Sequence, residues 1–152
     1  MNFTEKERSL LMDMKNQEQL CIDKYTKYKN EAKSQNLKNL FDSLASTERE
    51  HLNTVNVLLD GSVPPVPVKG MPSAKSKFDS GSYSSPEDKK ADALLLRDML
   101  AMEKHVSSLY DTSIFEFISP DVRAVLNHIQ TEEQEHGERL YSAMSCMNAG
   151  GC

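Results

Sequence analysis

Two copies of the pattern Glu-x-x-His are the residues of this sequence best suited to chemistry. They are Glu48 with His51, and Glu133 with His136. If each stretch is helical, three residues turn the chain by about 300°, so the carboxylate and the imidazole lie on neighbouring ridges of one helix face. Carboxylate oxygens and neutral imidazole nitrogens are ligands for divalent transition metals. Each pair can therefore hold one metal ion.

Two further glutamates precede these pairs by equal intervals, since Glu18 is as far before Glu48 as Glu103 is before Glu133. With turns near residues 34 and 119, each of them lies about 16 residues before a turn, and its partner lies about 14 residues after it. At a rise of ~1.5 Å per residue, these depths in a helical hairpin differ by only about 3 Å. We therefore expect four glutamates and two histidines to meet at one level inside the protein.

The charge of such a cluster favours metal ions. Four buried carboxylates are expensive to desolvate, and the sequence places no Lys or Arg to pair with all of them. Two divalent cations would neutralise the four charges, and the donor set suits Fe or Mn. The predicted bridging ligands are Glu48 and Glu133. The predicted terminal ligands are Glu18, His51, Glu103 and His136. Two alternatives stay open, namely that these side chains are solvated on outer faces, or that the chain keeps the ligand types without holding metal usefully.

Two tyrosines are predicted to support the ligands. Tyr25 and Tyr110 follow Glu18 and Glu103 by seven residues, which corresponds to an angular offset of about 20° and a rise of ~10.5 Å. Their hydroxyls could hydrogen-bond a ligand carboxylate from the opposite helix, orient it and tune the metal. The alternative is a core tyrosine whose hydroxyl finds any partner.

Other residues of metal-binding type are excluded from the predicted site. Cys21 corresponds to a valine in the repeat described below, so it is interpreted as a small buried hydrophobe. His105 and His128 are interpreted as surface or packing histidines, because His105 lies about 200° around the helix from Glu103 and His128 has Val125 three residues earlier. One residue of helix turns a side chain about 100° away from a ligand. On that ground three glutamates are predicted to be solvated: Glu50, Glu132 and Glu135.

The elements that must position these residues are helices, because apolar residues recur at intervals of three and four among charged ones. Capping signals are Thr4 with Glu7, a break at Ser34, Ser85 before proline and Ser119 before proline. Helices are predicted near residues 4–32, 36–59, 86–117 and 120–147. The segment 60–85 between the second and third helices is rich in Pro, Gly and Ser and is predicted to be a linker.

Two short turns and one long connection predict an all-α fold, a four-helix bundle of two hairpins joined by a crossover linker. A helix of this length spans roughly 45 Å, whereas some 25 extended residues reach about 80 Å. The linker can therefore run the length of the bundle and make the second and third helices parallel.

The two hairpins are related by an internal repeat. Sliding the chain along itself until Glu18 falls on Glu103 also places Tyr25 on Tyr110 and His51 on His136, along with several core positions. An amphipathic hairpin buries its apolar stripe only against a second one. The repeat thus supplies the partner that each half needs.

Composition limits the function classes. The chain has 152 residues, the size of one globular domain, so we expect a single domain over residues 1–152. A net charge of -5 gives no broad positive field for nucleic acid or anionic lipid, and no apolar run is long enough for a membrane helix. We expect no secretory signal peptide and cytoplasmic synthesis. Three cysteines without a CxxC pair favour a reducing compartment, and the end of the chain is expected to fray and expose Cys152.

The six predicted ligands make the sequence resemble the ferritin-like superfamily. Within it, the second half resembles the spore coat protein F family through residues 98–104, Tyr110, Glu116, Arg123 and residues 132–136. The resemblance implies a four-helix bundle with a binuclear site and a location in or beneath the coat of a bacterial endospore, with other spore coat proteins as partners. A homo-oligomer stays open.

The resemblance also suggests activities to compare with the sequence. A rubrerythrin-like peroxidase carries a CxxC iron domain, and this sequence has no CxxC pair. A storage ferritin needs a further short helix after the fourth. A manganese-catalase-like reaction needs no external electron donor. The leading hypothesis is a protein with two Fe or Mn ions that reduces or disproportionates peroxide or oxygen species. The alternatives are a structural spore coat component with a non-catalytic or vestigial metal site, and a regulatory or adaptor bundle.

Overall fold

A computed structural model describes residues 1–68, 78, 79, 81 and 83–149. Within them the chain forms four helices and no strand: α1 (Glu5–Glu31), α2 (Gln35–Leu59), α3 (Pro86–Ile114) and α4 (Pro120–Asn148). The predicted all-α fold of two hairpins is confirmed. None of the described helices combines the length and the apolar character needed to cross a membrane.

The predicted capping residues begin each helix. Thr4 and Glu7 form a reciprocal capping box, in which the Glu7 amide donates to the Thr4 hydroxyl and the Thr4 amide donates to the Glu7 carboxylate. Ser34, Ser85 and Ser119 each accept a hydrogen bond from an amide in the first turn of α2, α3 and α4. These side chains satisfy amides that have no partner inside the helix.

The third helix ends three residues earlier than the predicted bound of 117. After Ile114 the chain tightens into a turn in which the amide of Phe117 donates to the Ile114 carbonyl. The side chain of Phe117 is buried and meets the Phe3 ring edge-on at a centroid distance of 6.3 Å. Packing this ring into the core requires a change of chain direction before Ser119 begins α4.

Every pair of neighbouring helices is antiparallel. The helix α1 packs against α2 and α3, and α4 packs against the same two helices. Contacts between α1 and α3 run from Glu18 with Tyr110 to Tyr28 with Asp98, so the chain directions oppose. Since α1 is also antiparallel to α2, the helices α2 and α3 are parallel. The end of α2 and the start of α3 therefore lie at opposite ends of the bundle.

The described ends of the predicted linker are not helical. Gly61 follows α2 with φ +89, and its carbonyl accepts a hydrogen bond of 2.7 Å from the amino group of Met1. A side chain at Gly61 would also approach the Met1 carbonyl closely. Both the positive φ and this lack of space favour glycine at the position. Residues 69–77, 80 and 82 of the predicted linker, and Cys152 at the end of the chain, lie outside the described residues.

Two buried carboxylates fix one hairpin against the other. Asp92 of α3 accepts hydrogen bonds from the amides of Lys33 and Ser34 at 2.8 and 2.9 Å, in the turn between α1 and α2. Glu7 of α1 accepts one from the amide of Ile118 at 3.0 Å, in the turn between α3 and α4. Glu7 and Asp92 occupy matching positions in the two halves, so the repeat extends to the contacts that set the register of the hairpins.

Candidate metal centre

The six predicted ligands meet in the middle of the bundle. Their exposed fractions range from 0% at Glu18 and Glu48 to 4% at His136, so the interpretation that they are solvated is wrong. They form two groups, and within each group the possible ligand atoms lie within 4.8 Å of one another. The groups are Glu18, Glu48, His51 and Glu133, and Glu48, Glu103, Glu133 and His136. Glu48 and Glu133, the residues predicted to bridge, are the two shared members.

Both histidines face the carboxylates with the same ring nitrogen. Nδ1 of His51 lies 3.2 Å from Oε2 of Glu48 and 3.1 Å from Oε1 of Glu133. Nδ1 of His136 lies 2.9 Å from Oε1 of Glu48 and 3.1 Å from Oε1 of Glu103. The two rings stack with centroids 5.9 Å apart. The arrangement has an approximate two-fold symmetry that follows from the repeat.

The two predicted tyrosines donate hydrogen bonds across the hairpins. The hydroxyl of Tyr25 on α1 lies 2.5 Å from Oε1 of Glu103 on α3, and the hydroxyl of Tyr110 on α3 lies 2.7 Å from Oε1 of Glu18 on α1. Burial, together with the adjacent carboxylates, raises the pKa of both phenols well above its ordinary value. Both hydroxyls therefore remain protonated donors. Their predicted influence on a metal stays a prediction.

The donor atoms that remain fit a pair of cations. Three buried carboxylate oxygens have no hydrogen-bond partner among the described residues: Oε2 of Glu18, of Glu103 and of Glu133. No ion pair between described residues brings Lys or Arg to these carboxylates, because their only cationic partners there are the two histidines. A buried acceptor without a partner costs free energy. Four glutamates and two histidines provide the oxygen and nitrogen ligands, and the negative charge, that two divalent ions require.

The pKa values of the carboxylates show how strongly the cluster attracts positive charge. Burial, reinforced by the neighbouring Glu48, raises the pKa of Glu18 from 4.5 to about 8. Burial and the adjacent Glu103 raise the pKa of Glu133 well above its ordinary value. Although burial opposes ionisation of Glu48 as well, the neighbouring Glu18 and the two histidines lower its pKa. Protons and cations therefore compete for the same oxygens.

The histidines show the same tendency. Burial alone would lower the pKa of each imidazole, but hydrogen bonds to carboxylates outweigh it. The pKa of His136 rises from 6.5 to about 9, mainly through Glu103 and Glu48. The pKa of His51 rises well above its ordinary value, with Glu132 as the largest contributor to the rise. A bound cation would have to displace protons from both rings.

The prediction that Glu132 is solvated is wrong. Its Oε1 lies 3.1 Å from Nε2 of His51, and its side chain is only 27% exposed. His128, expected at the surface or in packing, lies with its Nε2 3.1 Å from the same oxygen. The turn of about 100° from Glu133 to Glu132 points the side chain at the neighbouring helix α2, because a helix in a bundle has two neighbours. The i, i+4 spacing of His128 and Glu132 in the sequence indicates that these two side chains can meet, but it does not indicate the contact of Glu132 with His51 on another helix.

The remaining excluded residues lie outside the cluster. Cys21 is fully buried, as expected of a small hydrophobe, and belongs to neither group of possible ligands. His105 and Glu50 are exposed, and Glu135 is partly buried. None of the three joins the possible metal groups found among the described residues.

Comparison with known proteins finds a family similarity in the second hairpin. Residues 91–146, which include most of α3 and α4, match the family described as the Coat F domain. This match confirms the predicted resemblance to spore coat proteins for the second hairpin. No curated protein and no solved structure matches the chain.

Proposed function

We propose that the chain binds two divalent transition-metal ions, Fe or Mn, between its two hairpins, in a protein related to spore coat components. The observation that carries the proposal is the set of three buried carboxylate oxygens that have no hydrogen-bond partner among the described residues. In the described ion pairs of this cluster, the only cationic partners of the carboxylates are His51 and His136. The topology of the bundle and its donor set support a relationship to the ferritin-like superfamily.

The six predicted ligands and the two tyrosines would have different roles in binding two ions. Glu48 and Glu133 belong to both groups of donors and would bridge the ions. Glu18 with His51 would complete one position, and Glu103 with His136 the other. Tyr25 and Tyr110 hold the carboxylates of Glu103 and Glu18 in place through their hydroxyls. Bound Fe or Mn would supply reversible one-electron chemistry.

The burial of the cluster limits the substrate to small molecules. Each of the six side chains is at most 5% exposed, so a large organic substrate cannot contact them without opening the bundle. Hydrogen peroxide and dioxygen are small enough. Disproportionation of peroxide consumes two molecules, reduces one to water and oxidises the other to dioxygen, so it needs no external electron donor. We therefore favour hydrogen peroxide as the substrate. Its removal would also suit a protein of the spore coat, which is a protective layer.

Metal analysis of the purified protein tests this proposal. After reconstitution with Fe²⁺ or Mn²⁺ and removal of free metal, we expect two ions per chain in the wild type. Glu48→Gln removes a shared donor and should abolish stoichiometric binding of both ions. The matched control is Glu50→Gln, two residues along α2 and exposed, which should bind like the wild type. A folded wild-type protein that retains no metal would overturn the proposal.

Peroxide turnover by the reconstituted protein tests the redox part separately. We expect dioxygen release that depends on bound metal and is lost in Glu48→Gln. Stoichiometric binding of metal without peroxide turnover would reject the proposed catalysis and leave the proposed metal binding in place.

The match to the Coat F domain favours a second candidate function, a structural component of the spore coat in which the ions only stabilise the bundle. This function places the protein in the coat, with other coat proteins as partners. It predicts detectable metal without peroxide turnover, together with self-assembly or binding to coat proteins. Sedimentation of the purified protein and pull-down from spore coat extracts measure both.

A further inference from the structure

The symmetry of the cluster breaks down immediately outside it, at His51. Nε2 of His51, the ring nitrogen that faces away from the shared carboxylates, lies 3.1 Å from Oε1 of Glu132. His128, one turn earlier on α4, approaches the same oxygen at 3.1 Å. The exposed side-chain fraction rises from 2% at His51 to 27% at Glu132. These three residues form a chain from the buried cluster toward the surface.

Among the described residues, the ion pairs of His136 include no carboxylate that corresponds to Glu132. The repeat that aligns His51 with His136 places Thr47 where Glu132 stands in the second hairpin. The ion pairs of His136 with Glu48 and Glu103 both use Nδ1, the nitrogen that faces the cluster. On this side of the bundle, Arg139 of α4 donates instead to the hydroxyl of Ser43 on α2, at 3.3 and 3.4 Å. The two halves therefore differ in the groups outside their ligands.

A carboxylate on the outer nitrogen changes what the inner nitrogen can do. When the imidazole is neutral, a proton on Nε2 of His51 can be donated to Glu132, which leaves the lone pair of Nδ1 facing the cluster. Such a partner holds the ring orientation and makes the ligating nitrogen more basic. Each position has three carboxylates and one imidazole within reach, so ligand count does not distinguish them.

We propose that Glu132 is a positioning residue that makes the two ion positions unequal, so that the position containing His51 binds its ion first and more tightly. This inference rests on the proposed function, because it concerns the same pair of ions. It adds an order of binding and a residue that sets it. His128 holds the Glu132 carboxylate from the outer side.

Titration of the full chain with Co²⁺ tests the inference, with calorimetry for affinity and visible absorption for coordination. We expect the wild type to bind two ions in two resolved phases. Glu132→Thr, which installs the residue found at the repeat position, should weaken the tight phase about 10- to 100-fold and spare the weak one. The reverse exchange, Thr47→Glu, should tighten the weak phase. Glu50→Gln is the control for loss of a nearby exposed charge.

The possible results separate the inference from the proposed function. Two ions of equal affinity in the wild type, or equal weakening of both phases by Glu132→Thr, would overturn the inference and leave the metal site standing. A folded wild-type protein that binds no Co²⁺ would overturn both. If Glu132→Thr does not fold, as judged by circular dichroism without metal, Glu132→Gln and Thr47→Glu decide. Unchanged isotherms in those two variants would reject the inference.

Discussion

Each ligand carboxylate at the ends of the cluster depends on a residue of the other hairpin. Tyr25 donates a hydrogen bond to Glu103, and Tyr110 donates one to Glu18, so each hairpin orients a carboxylate that the other hairpin supplies. Oε2 of both glutamates has no hydrogen-bond partner among the described residues. The tyrosine hydroxyl is therefore a large part of the polar environment of each carboxylate, and its removal should be costly.

Tyr25→Phe tests this dependence at the level of one oxygen atom. The change keeps the ring but leaves buried Oε1 of Glu103 without its phenol donor, so we expect the free energy of unfolding without metal to fall by about 1–3 kcal/mol. Tyr28→Phe is the matched control, because its hydroxyl contacts Asp98, which is 41% exposed and also pairs with Lys24. We expect that variant to remain within about 0.5 kcal/mol of the wild type. Urea denaturation in the presence of a chelator measures both, and equal losses would contradict the argument.

The residues that could be predicted from the sequence are those fixed by spacing along single helices. The six ligands share one level because the equal spacing of Glu18 to Glu48 and of Glu103 to Glu133 determines depth in a hairpin, and Glu-x-x-His determines the face. The contact of Glu132 with His51 could not be predicted in this way. It depends on how α4 is rotated toward α2, which follows from packing of the whole bundle. The role of Asp92 was missed for the same reason, since it binds amides in the turn of the opposite hairpin.

At the scale of elements, the second hairpin supplies three of the six predicted ligands. It carries Glu103, Glu133 and His136, and the family match covers most of its two helices. Its buried stripe, which includes Leu96 and Val106, is covered by the first hairpin in the intact chain. Two copies of this hairpin would offer the same six donors, related by a two-fold axis.

We therefore predict that a fragment of residues 83–149 assembles as a dimer. A single hairpin exposes its apolar stripe and is marginal as a helical monomer, so helicity should rise with protein concentration. Adding Mn²⁺ should strengthen the dimer, because the ions join ligands from both copies. Sedimentation equilibrium and circular dichroism measure these effects. The same fragment with Glu133→Gln should lose the response to Mn²⁺, and a stable helical monomer at micromolar concentration would refute the prediction.

At the scale of the whole molecule, the ligands come from all four helices, so protons or metal ions bound in the cluster affect global stability. The pKa of Glu18 rises from 4.5 to about 8 on folding, mainly through burial, and that of His136 rises from 6.5 to about 9. Between the unfolded and folded values the native state holds more protons than the unfolded state. Its stability must therefore fall as pH rises through these windows.

We predict opposite effects of pH with and without metal. In a chelator, the melting temperature should fall as pH rises from about 5 to 9, because Glu18 and then His136 lose protons while buried. With Mn²⁺ present, the gain in melting temperature over the chelated protein should grow with pH, because the ions bind the deprotonated ligands. Thermal unfolding at pH 6, 7, 8 and 9 measures both series. In Glu18→Gln, which cannot ionise at that position, the fall in chelator should be shallower. A melting temperature of the chelated wild type that rises with pH would show that the cluster does not hold protons as its burial and contacts require.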